Sequence, residues 1–476
     1  MEKKNTFSKD LIMVLFSNLI ILVSSIVTGF IVPKLLGVKE YGYYKIFTLY
    51  LSYSALAHLG YVDGILLKFA GKDYKELPKE KFRQYTKFFF MFQCIVAILI
   101  ITIAILLLEH EYKIIFLFLS IDIFAVNMTA YYQYISQSTM RFSELSIRKI
   151  LFAILKMALV LFMIVMNVIG LKQFVGVNIY ICGLVFIDIA LLIWYFVTYK
   201  ELSAGKSETF LQCRKDITSF FKEGIILTIA YQAASVVFSL DSQFVSILYD
   251  TSTYGVYSFA YSLISMVTTV VSAVSFVLFP RLKRLSSENI INSFPKAMAS
   301  ITIMAVAAMM GYQPLCNLIE IFFPEYIDSI VYLRIIIPGL ALSCCINIIM
   351  FTYYKALNKH FIYFKISCFV LLLASIFNYV AYKVFENPTY ISMASIVILI
   401  VWYIMNLHYF IKKYHVYWKK NFIYIIASMA IFYVITGYVH DQLMSWLIFI
   451  IYFIVMTALM YMSLIKELII AYIVKG

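Results

Sequence analysis

The chain has 476 residues, of which 63% are hydrophobic and only 13% are charged, and its formal net charge is +14. A water-soluble domain is about half apolar and about a quarter charged, so this composition excludes an ordinary soluble enzyme. Stretches of about 20 apolar residues, each long enough to cross a bilayer as a helix, recur from one end of the chain to the other. The composition therefore predicts an integral membrane protein.

Roughly fourteen such stretches are present, with boundaries accurate to a few residues. A chain inside a bilayer must satisfy its own backbone hydrogen bonds, and a barrel would show short alternating strands instead, so these stretches are predicted to be helices. The first stretch is too long for a removable signal peptide and lacks a small-residue cleavage site. The predicted spans are 11–33, 43–69, 87–108, 114–138, 149–167, 176–198, 222–249, 255–280, 297–323, 332–354, 364–383, 389–411, 421–439 and 445–465.

Lysine and arginine are distributed unevenly between alternate loops. If the N-terminus is cytoplasmic, about 30 of the 39 basic residues fall on the cytoplasmic side and about 6 on the outer side. This bias predicts that both termini are cytoplasmic. The positive charge is therefore a sign of membrane topology and not of a nucleic-acid surface, so no nucleic-acid partner is expected.

The sequence Tyr-Gly-x-Tyr occurs twice, at 41–44 and at 254–257, and each copy follows one apolar stretch and opens the next. A repeated unit in an apolar chain is typical of transporters built from two bundles. Since six spans separate the two copies, the bundles would be parallel repeats, with both copies at the outer membrane surface. The alternative is a chance match in a tyrosine-rich chain.

The predicted fold class is therefore an all-α integral membrane protein. It has about 14 transmembrane helices, arranged as two parallel six-helix bundles plus a C-terminal helix pair. The longest cytoplasmic loop contains Ser203, Ala204 and Gly205 and marks a linker between the halves. The predicted domains are an N-terminal bundle at 1–200, a cytoplasmic linker at 201–221, a C-terminal bundle at 222–411 and the terminal helix pair at 412–476.

Four segments, at 33–44, 56–68, 241–280 and 338–359, carry a resemblance to a known family through their order and spacing. The first holds Leu-Gly followed by Glu-Tyr-Gly-x-Tyr, and the third holds an Asp, the second Tyr-Gly-x-Tyr and Leu-Phe-Pro. In these features the chain resembles the oligosaccharide repeat-unit flippases of the polysaccharide-transport family. That family lies within the multidrug/oligosaccharidyl-lipid/polysaccharide exporter superfamily.

The resemblance implies a function. Such a protein flips a polyprenyl-diphosphate-linked oligosaccharide from the cytoplasmic to the outer face of the bacterial cytoplasmic membrane, for O-antigen, capsule or a similar polymer. It implies alternating access between two bundles, membrane lipids around the protein, and other polysaccharide-assembly proteins as partners. A lipid II or drug exporter of the same superfamily is an alternative. A membrane-embedded glycan polymerase or transferase is another, but such an enzyme would usually show a large external loop or an acidic catalytic cluster.

Ionisable residues within a membrane span are costly, so each is a functional hypothesis. A diphosphate calls for cations and sugars call for polar groups, whereas no cofactor and no metal are expected, since the histidines form no metal-ligand pair. Coupling to H⁺ or Na⁺ would require a buried carboxylate. The substrate or cavity candidates are Lys45, Asp63, Lys68, Lys156, Asp188, Gln232 and Gln243, and the ion-coupling candidates are Asp241 and Asp122.

Simpler roles remain open for several of these residues. Lys45 and Lys68 lie near the ends of their span, where a lysine can extend its side chain to the interface. Lys156 is predicted to pair with Asp188 across a hairpin, with Asp63 as a rival partner. In a continuous helix, Lys45 and Asp63 would lie on one face about 27 Å apart. Asp241 could equally be a buried carboxylate satisfied by its neighbours.

Overall fold

A computed structural model describes residues 2–282 and 285–473 of the chain; within these ranges the side chains of 2–12, 15, 270–277, 279–281, 465 and 467–473 are left undescribed. The described chain is helical almost throughout and contains no strand. Twelve of the described helices are long and apolar enough to cross a membrane. The predicted all-α integral membrane fold is confirmed.

The chain divides into two compact units, Met1–Val236 and Val237–Gly476. The helices that begin in the first unit are α1 (Glu2–Leu51), α2 (Tyr61–Phe69), α3 (Lys79–Leu107), α4 (His110–Ser138), α5 (Phe142–Val168), α6 (Val177–Thr198), α7 (Lys200–Ser203) and α8 (Phe210–Leu248). Those of the second are α9 (Thr251–Leu282), α10 (Ser287–Met309), α11 (Tyr312–Phe322), α12 (Ser329–Ile336), α13 (Gly339–Cys344), α14 (Phe351–Ala356), α15 (His360–Phe385), α16 (Pro388–Tyr414), α17 (Lys419–Tyr438) and α18 (Gln442–Ile473).

Short helical turns complete the chain. The 3-10 turns are Ser54–His58, Tyr74–Glu76, Lys172–Phe174 and Pro324–Tyr326, and a π-helical segment, Cys345–Met350, joins α13 to α14. The residues predicted as a linker at 201–221 lie mostly in α7 and in the first turns of α8. The terminal pair α17 and α18 belongs to the second compact unit, where Trp446 Nε1 donates to the carbonyl of Met310 at 2.8 Å.

Helix α1 contains the first predicted span, 11–33, and the first part of the second, 43–69. The candidate span Phe16–His58 bends at Gly37, whose φ of 70° and ψ of 173° are not helical. Pro33 lies one turn earlier and removes an intrahelical hydrogen bond, which favours a bend in this region. Helix α9 is a further 32-residue helix outside the twelve. With α1 counted as two arms and α9 included, the spans agree with the roughly fourteen predicted from hydropathy.

The span predicted at 43–69 is broken, so the prediction of a continuous helix there was wrong. The second arm of α1 ends at Leu51, and α2 begins only at Tyr61. Left-handed backbone at Leu59 and Gly60, with φ of 48° and 83°, turns the chain between them. Lys45 and Asp63 therefore lie on separate helices, and the helical spacing expected between them does not apply.

Close contact with α8 explains where the break falls. A Cβ atom on Gly60 would lie 2.1 Å from the Ile225 backbone nitrogen, and one on Gly224 would lie 1.9 Å from the Gly60 carbonyl oxygen. One turn along α2, a Cβ on Gly64 would lie 2.2 Å from the Phe220 carbonyl oxygen. Small residues let membrane helices pack backbone to backbone. The glycines thus fix α2 against α8 inside the first unit.

The two Tyr-Gly-x-Tyr copies have similar surroundings, each in its own unit. Both tyrosines that define each copy are buried. The last tyrosine makes an edge-to-face ring contact at 5.0 Å in both cases, Tyr44 with Tyr180 in the first unit and Tyr257 with Tyr332 in the second. The motif therefore packs the start of a helix into each unit and is not itself exposed for binding.

Candidate functional site

Two carboxyl groups meet in the interior of the first unit. Asp122 lies on α4 and is fully buried, and it interacts electrostatically with the carboxyl group of Asp188 on α6. Neither oxygen of Asp122 has a hydrogen-bond partner among the described residues. Two ionised carboxylates repel each other strongly away from water, so this arrangement favours a proton on one of them. The pair is therefore a candidate proton-binding site in the first unit.

Two lysines extend this cluster across α5 and α1. Lys156, on α5, interacts electrostatically with Asp188 but makes no direct ion pair among the described residues. Lys45, on the second arm of α1, interacts electrostatically with Lys156, and its Nζ lies 5.3 Å from the ring centre of Tyr41. The first unit thus brings together four of the predicted residues, one from each of four helices.

The break between α1 and α2 interrupts the α-helical hydrogen bonding of the backbone within a predicted membrane span. Backbone groups released in this way are tolerated only where protein or water satisfies them. Three buried amide side chains from α3, α4 and α8 do so here, and the predicted candidate Gln232 is one of them. The bonds run from Gln93 Nε2 to the Ala57 carbonyl at 3.2 Å, from Asn127 Nδ2 to the Ser54 carbonyl at 3.1 Å and from Gln232 Nε2 to the Ser52 carbonyl at 3.3 Å.

Asp63 follows the break, in the first turn of α2. It is buried and accepts hydrogen bonds from the hydroxyl groups of Thr228 and Tyr134. The positive end of the α2 dipole favours a carboxylate at this position. Asp63 is therefore satisfied by neutral donors in the structure, and Lys156 is not its partner.

Lys68 lies at the other end of α2 in an ion pair. Its Nζ is 2.7 Å from Asp216 Oδ1 on α8, and the Tyr85 hydroxyl donates to Asp216 Oδ2 at 2.5 Å. Lys81 approaches the same carboxylate at 3.6 Å. Because Lys68 is part of a polar network at the surface end of the helix, it is separate from the cluster formed by Asp122, Asp188, Lys156 and Lys45.

Asp241 forms the polar centre of the second unit. Its Oδ2 accepts the Tyr257 hydroxyl at 2.9 Å and the Tyr261 hydroxyl, both from α9, and its Oδ1 accepts its neighbour Ser242 N at 2.7 Å. Ser395, on α16, is a further hydrogen-bonding partner. Gln243 lies half-buried on the same helix as Asp241. Tyr257, which closes the second Tyr-Gly-x-Tyr copy, thereby links that motif to the predicted ion-coupling carboxylate.

A cavity of about 270 Å³ lies beside Asp241, entirely within the second unit. Its polar lining includes Asn378 on α15, whose buried Oδ1 has no partner among the described residues. Hydroxyl and amide groups around a buried carboxylate can coordinate a small cation or relay a proton. The other polar residues at this cavity are Tyr261, Ser265, Thr268, Ser343, Asn347 and Ser395.

Sequence reasoning missed two kinds of residue at these sites. The pair Gly60-x-x-x-Gly64 is a recognised helix-packing signal, and it could have located the contact with α8. Asp216 was assigned to a loop and was therefore not considered as the partner of Lys68. Nothing in the sequence alone pairs Asp122 with Asp188, because the pairing depends on how α4 packs against α6.

Buried ionisable groups, a helix interrupted within a predicted span and an all-helical membrane fold are together typical of transporters. A family model described as "Polysaccharide biosynthesis protein" matches residues 7–286. The chain belongs to this polysaccharide biosynthesis protein family. No curated protein matches the chain in sequence.

Solved structures of transporters share this fold. The chain is similar to the lipid II flippase MurJ in an inward closed conformation, with a TM-score of 0.72 and 16% identity over 95% of this chain and 99% of that one. It is similar to an inward-facing multidrug resistance MATE family transporter, with a TM-score of 0.62 and 12% identity over 87% and 96% of the two chains. For a Vibrio cholerae MATE transporter, the TM-score is 0.57 and the identity is 13% over 87% and 98%. At these identities the likeness concerns the fold.

Proposed function

We propose that the protein flips a polyprenyl-diphosphate-linked oligosaccharide from the cytoplasmic to the outer face of a bacterial cytoplasmic membrane. The observation that carries this proposal is membership of the polysaccharide biosynthesis family combined with a fold like that of a lipid II flippase. Both point to a lipid-linked saccharide as the cargo. The bias of basic residues between loops supports an orientation with both termini in the cytoplasm.

Transport would proceed by alternating access, with each compact unit acting as one rigid bundle. Lys45 and Lys156 supply positive charge inside the first unit, which suits a diphosphate. The isoprenoid chain needs no polar site because it can remain in the bilayer.

Ion coupling would rest on two carboxylate sites. The Asp122–Asp188 pair suits H⁺, because two neighbouring buried carboxyl groups repel each other when both are ionised. Asp241, with its hydroxyl partners and the cavity beside it, suits H⁺ or Na⁺. A transport rate that responds to one ion gradient and not to the other would identify the driving ion.

Reconstitution tests the proposal directly. The purified protein is placed in liposomes that carry a fluorescent polyprenyl-diphosphate oligosaccharide, and the fraction that an external glycosidase can cleave is followed over time. Protein-dependent exposure of the inner-leaflet pool is expected. An unchanged protected fraction would overturn the proposal.

The alternatives give different results in the same assay. Exposure of lipid II but not of the oligosaccharide lipid would assign the protein to peptidoglycan precursors. Efflux of a lipophilic cation without lipid movement would indicate a drug exporter. Lengthening of the glycan would indicate a polymerase, which product analysis by mass spectrometry would detect.

A further inference from the structure

A second cavity in the second unit, of about 600 Å³, has no role in the mechanism above. It is enclosed by α11, α12, α16 and α17, so the first helix of the terminal pair forms one of its walls. Its lining is apolar except for one arginine, two tyrosines and two threonines. The lining residues are Tyr312, Ile330, Val331, Arg334, Ile335, Thr389, Met393, Ile396, Tyr433 and Thr436.

Arg334, on α12, is the only charged residue at this cavity. Its Nε donates to Thr436 Oγ1 on α17 at 3.2 Å. Gly437 gives the guanidinium group its space, because a Cβ atom there would lie 2.9 Å from Nη2. Tyr433, one turn earlier, donates its hydroxyl to the Ile335 carbonyl at 2.7 Å and so joins α17 to α12 beside the arginine.

The charge of Arg334 is not balanced within the described part of the chain, where it makes no ion pair. Glu320, the acidic group on neighbouring α11, accepts instead from Gln442 Nε2 at 2.8 Å. The negative end of the α17 dipole offsets only part of the charge. A half-buried guanidinium group with free N–H donors in one plane favours an anion with several oxygens. A phosphate suits this planar set of donors best.

The cavity has one polar end and one apolar end. Arg334, Thr389 and Thr436 lie where α16 begins and α17 ends, which is the level expected for lipid headgroups. Along α16, Met393 and Ile396 follow Thr389 at steps of four and three residues, so they lie on one face. That face runs about 10 Å toward the membrane interior. Inorganic phosphate would leave this apolar part unfilled.

We propose that this cavity binds a lipid phosphate, with the phosphate on the Arg334 guanidinium and the first part of the hydrocarbon chain between α12 and α16. The shared chemistry is a phosphate attached to an apolar chain. A membrane phospholipid and a prenyl phosphate both have it. The proposal does not depend on the flipping activity, since Arg334 and the other polar residues of this cavity belong neither to the Asp241 site nor to the cluster in the first unit.

The site is tested by measuring ligand binding to the purified full-length protein in detergent. Native mass spectrometry detects bound ligand, and thermal shift measures the change in melting temperature. The probes are dioleoylphosphatidic acid, undecaprenyl phosphate, dioleoylglycerol and inorganic phosphate. The first two are expected to bind and to raise the melting temperature. Tighter binding of one of them assigns the source of the lipid. Equal binding of dioleoylglycerol would overturn the role of the phosphate, and equal stabilisation by inorganic phosphate would overturn the role of the chain.

Variants separate the two halves of the site. R334Q is expected to weaken the binding of both lipid phosphates by about 10-fold to 100-fold, because it removes a charged hydrogen-bond donor. R334K should recover only part of that loss, since lysine lacks the planar fork. M393W fills the apolar end and should reduce binding without altering the charge. K383Q is the matched control, because Lys383 lies outside this cavity. Unchanged binding in both R334Q and M393W would overturn the proposal. That result would leave the proposed flipping function unaffected, because flipping is measured in a separate assay.

Discussion

Asp122 on α4 and Asp188 on α6 interact electrostatically in the interior of the first unit, and Asp188 also interacts with Lys156 on α5, which in turn interacts with Lys45 on α1. Like charges repel strongly in a medium of low dielectric constant, so we expect one of the two carboxyl groups to hold a proton. Loss of that proton would leave two negative charges opposite two lysines. The pair can therefore change its charge close to two cationic side chains.

Replacement of Asp122 by Asn tests this pair. The side chain of Asn carries no charge at any pH and does not repel the Asp188 carboxylate, so the D122N protein should fold, and its transport rate should no longer respond to a proton gradient. The rate is measured in proteoliposomes at several external pH values with the sodium concentration fixed. D73N is the control, because Asp73 is exposed in the loop after α2. A normal gradient response in D122N would remove the pair from the coupling mechanism.

The sequence was sufficient to predict the helices but not the contacts between them. Hydropathy located nearly every span, because lipid exposure requires long apolar helices. It failed at 43–69, where the interruption at 52–60 is stabilised by amide groups from distant helices and by glycine contacts with α8. The candidate Lys156 was identified from its cost in a membrane, and among the described residues it interacts with Asp188 electrostatically without forming a direct ion pair.

Lys156 and Lys68 are both lysines in predicted spans, and they are expected to respond differently to removal of charge. K156M should reduce flipping by about 10-fold or more, since a buried cation near two carboxyl groups is lost. K68M should change flipping little, because Asp216 keeps Lys81 at 3.6 Å and the Tyr85 hydroxyl at 2.5 Å. Both variants are compared at equal membrane levels in the liposome assay. Full activity of K156M would exclude that lysine from the mechanism.

Gly60 and Gly71 form a matched pair for testing the contact between α2 and α8. Their φ angles are +83° and +82°, so replacement by Ala strains both backbones to a similar degree. Only at Gly60 does a Cβ meet other atoms, at 2.1 Å from the Ile225 nitrogen, whereas nothing lies within 4 Å at Gly71. G60A should therefore be less stable than G71A by about 1–3 kcal/mol. Equal melting temperatures for the two variants in detergent would contradict the close packing.

Asp250 caps α9 immediately before the second Tyr-Gly-x-Tyr copy. Its Oδ1 accepts the backbone N–H groups of Ser252 and Thr253 at 2.9 and 3.1 Å, and its Oδ2 accepts the Thr253 hydroxyl at 2.5 Å. The hydrogen bond from the Thr253 hydroxyl, followed by those from the backbone, lowers the pKa of Asp250 below its usual value. Replacement by Ala should cost about 1 kcal/mol of stability at pH 7.

The same cap gives a dependence on pH with a definite sign. Because the pKa of Asp250 is lower in the folded protein than in the unfolded chain, its stabilising effect is complete above about pH 4 and is lost as the pH falls through the folded value. The difference in melting temperature between the wild type and D250A should therefore shrink at pH 3. D328A is the control, since Asp328 stands at the N-terminus of α12 without a side-chain capping bond. A difference for D250A that is the same at pH 7 and pH 3 would show that the carboxylate does not act through these hydrogen bonds.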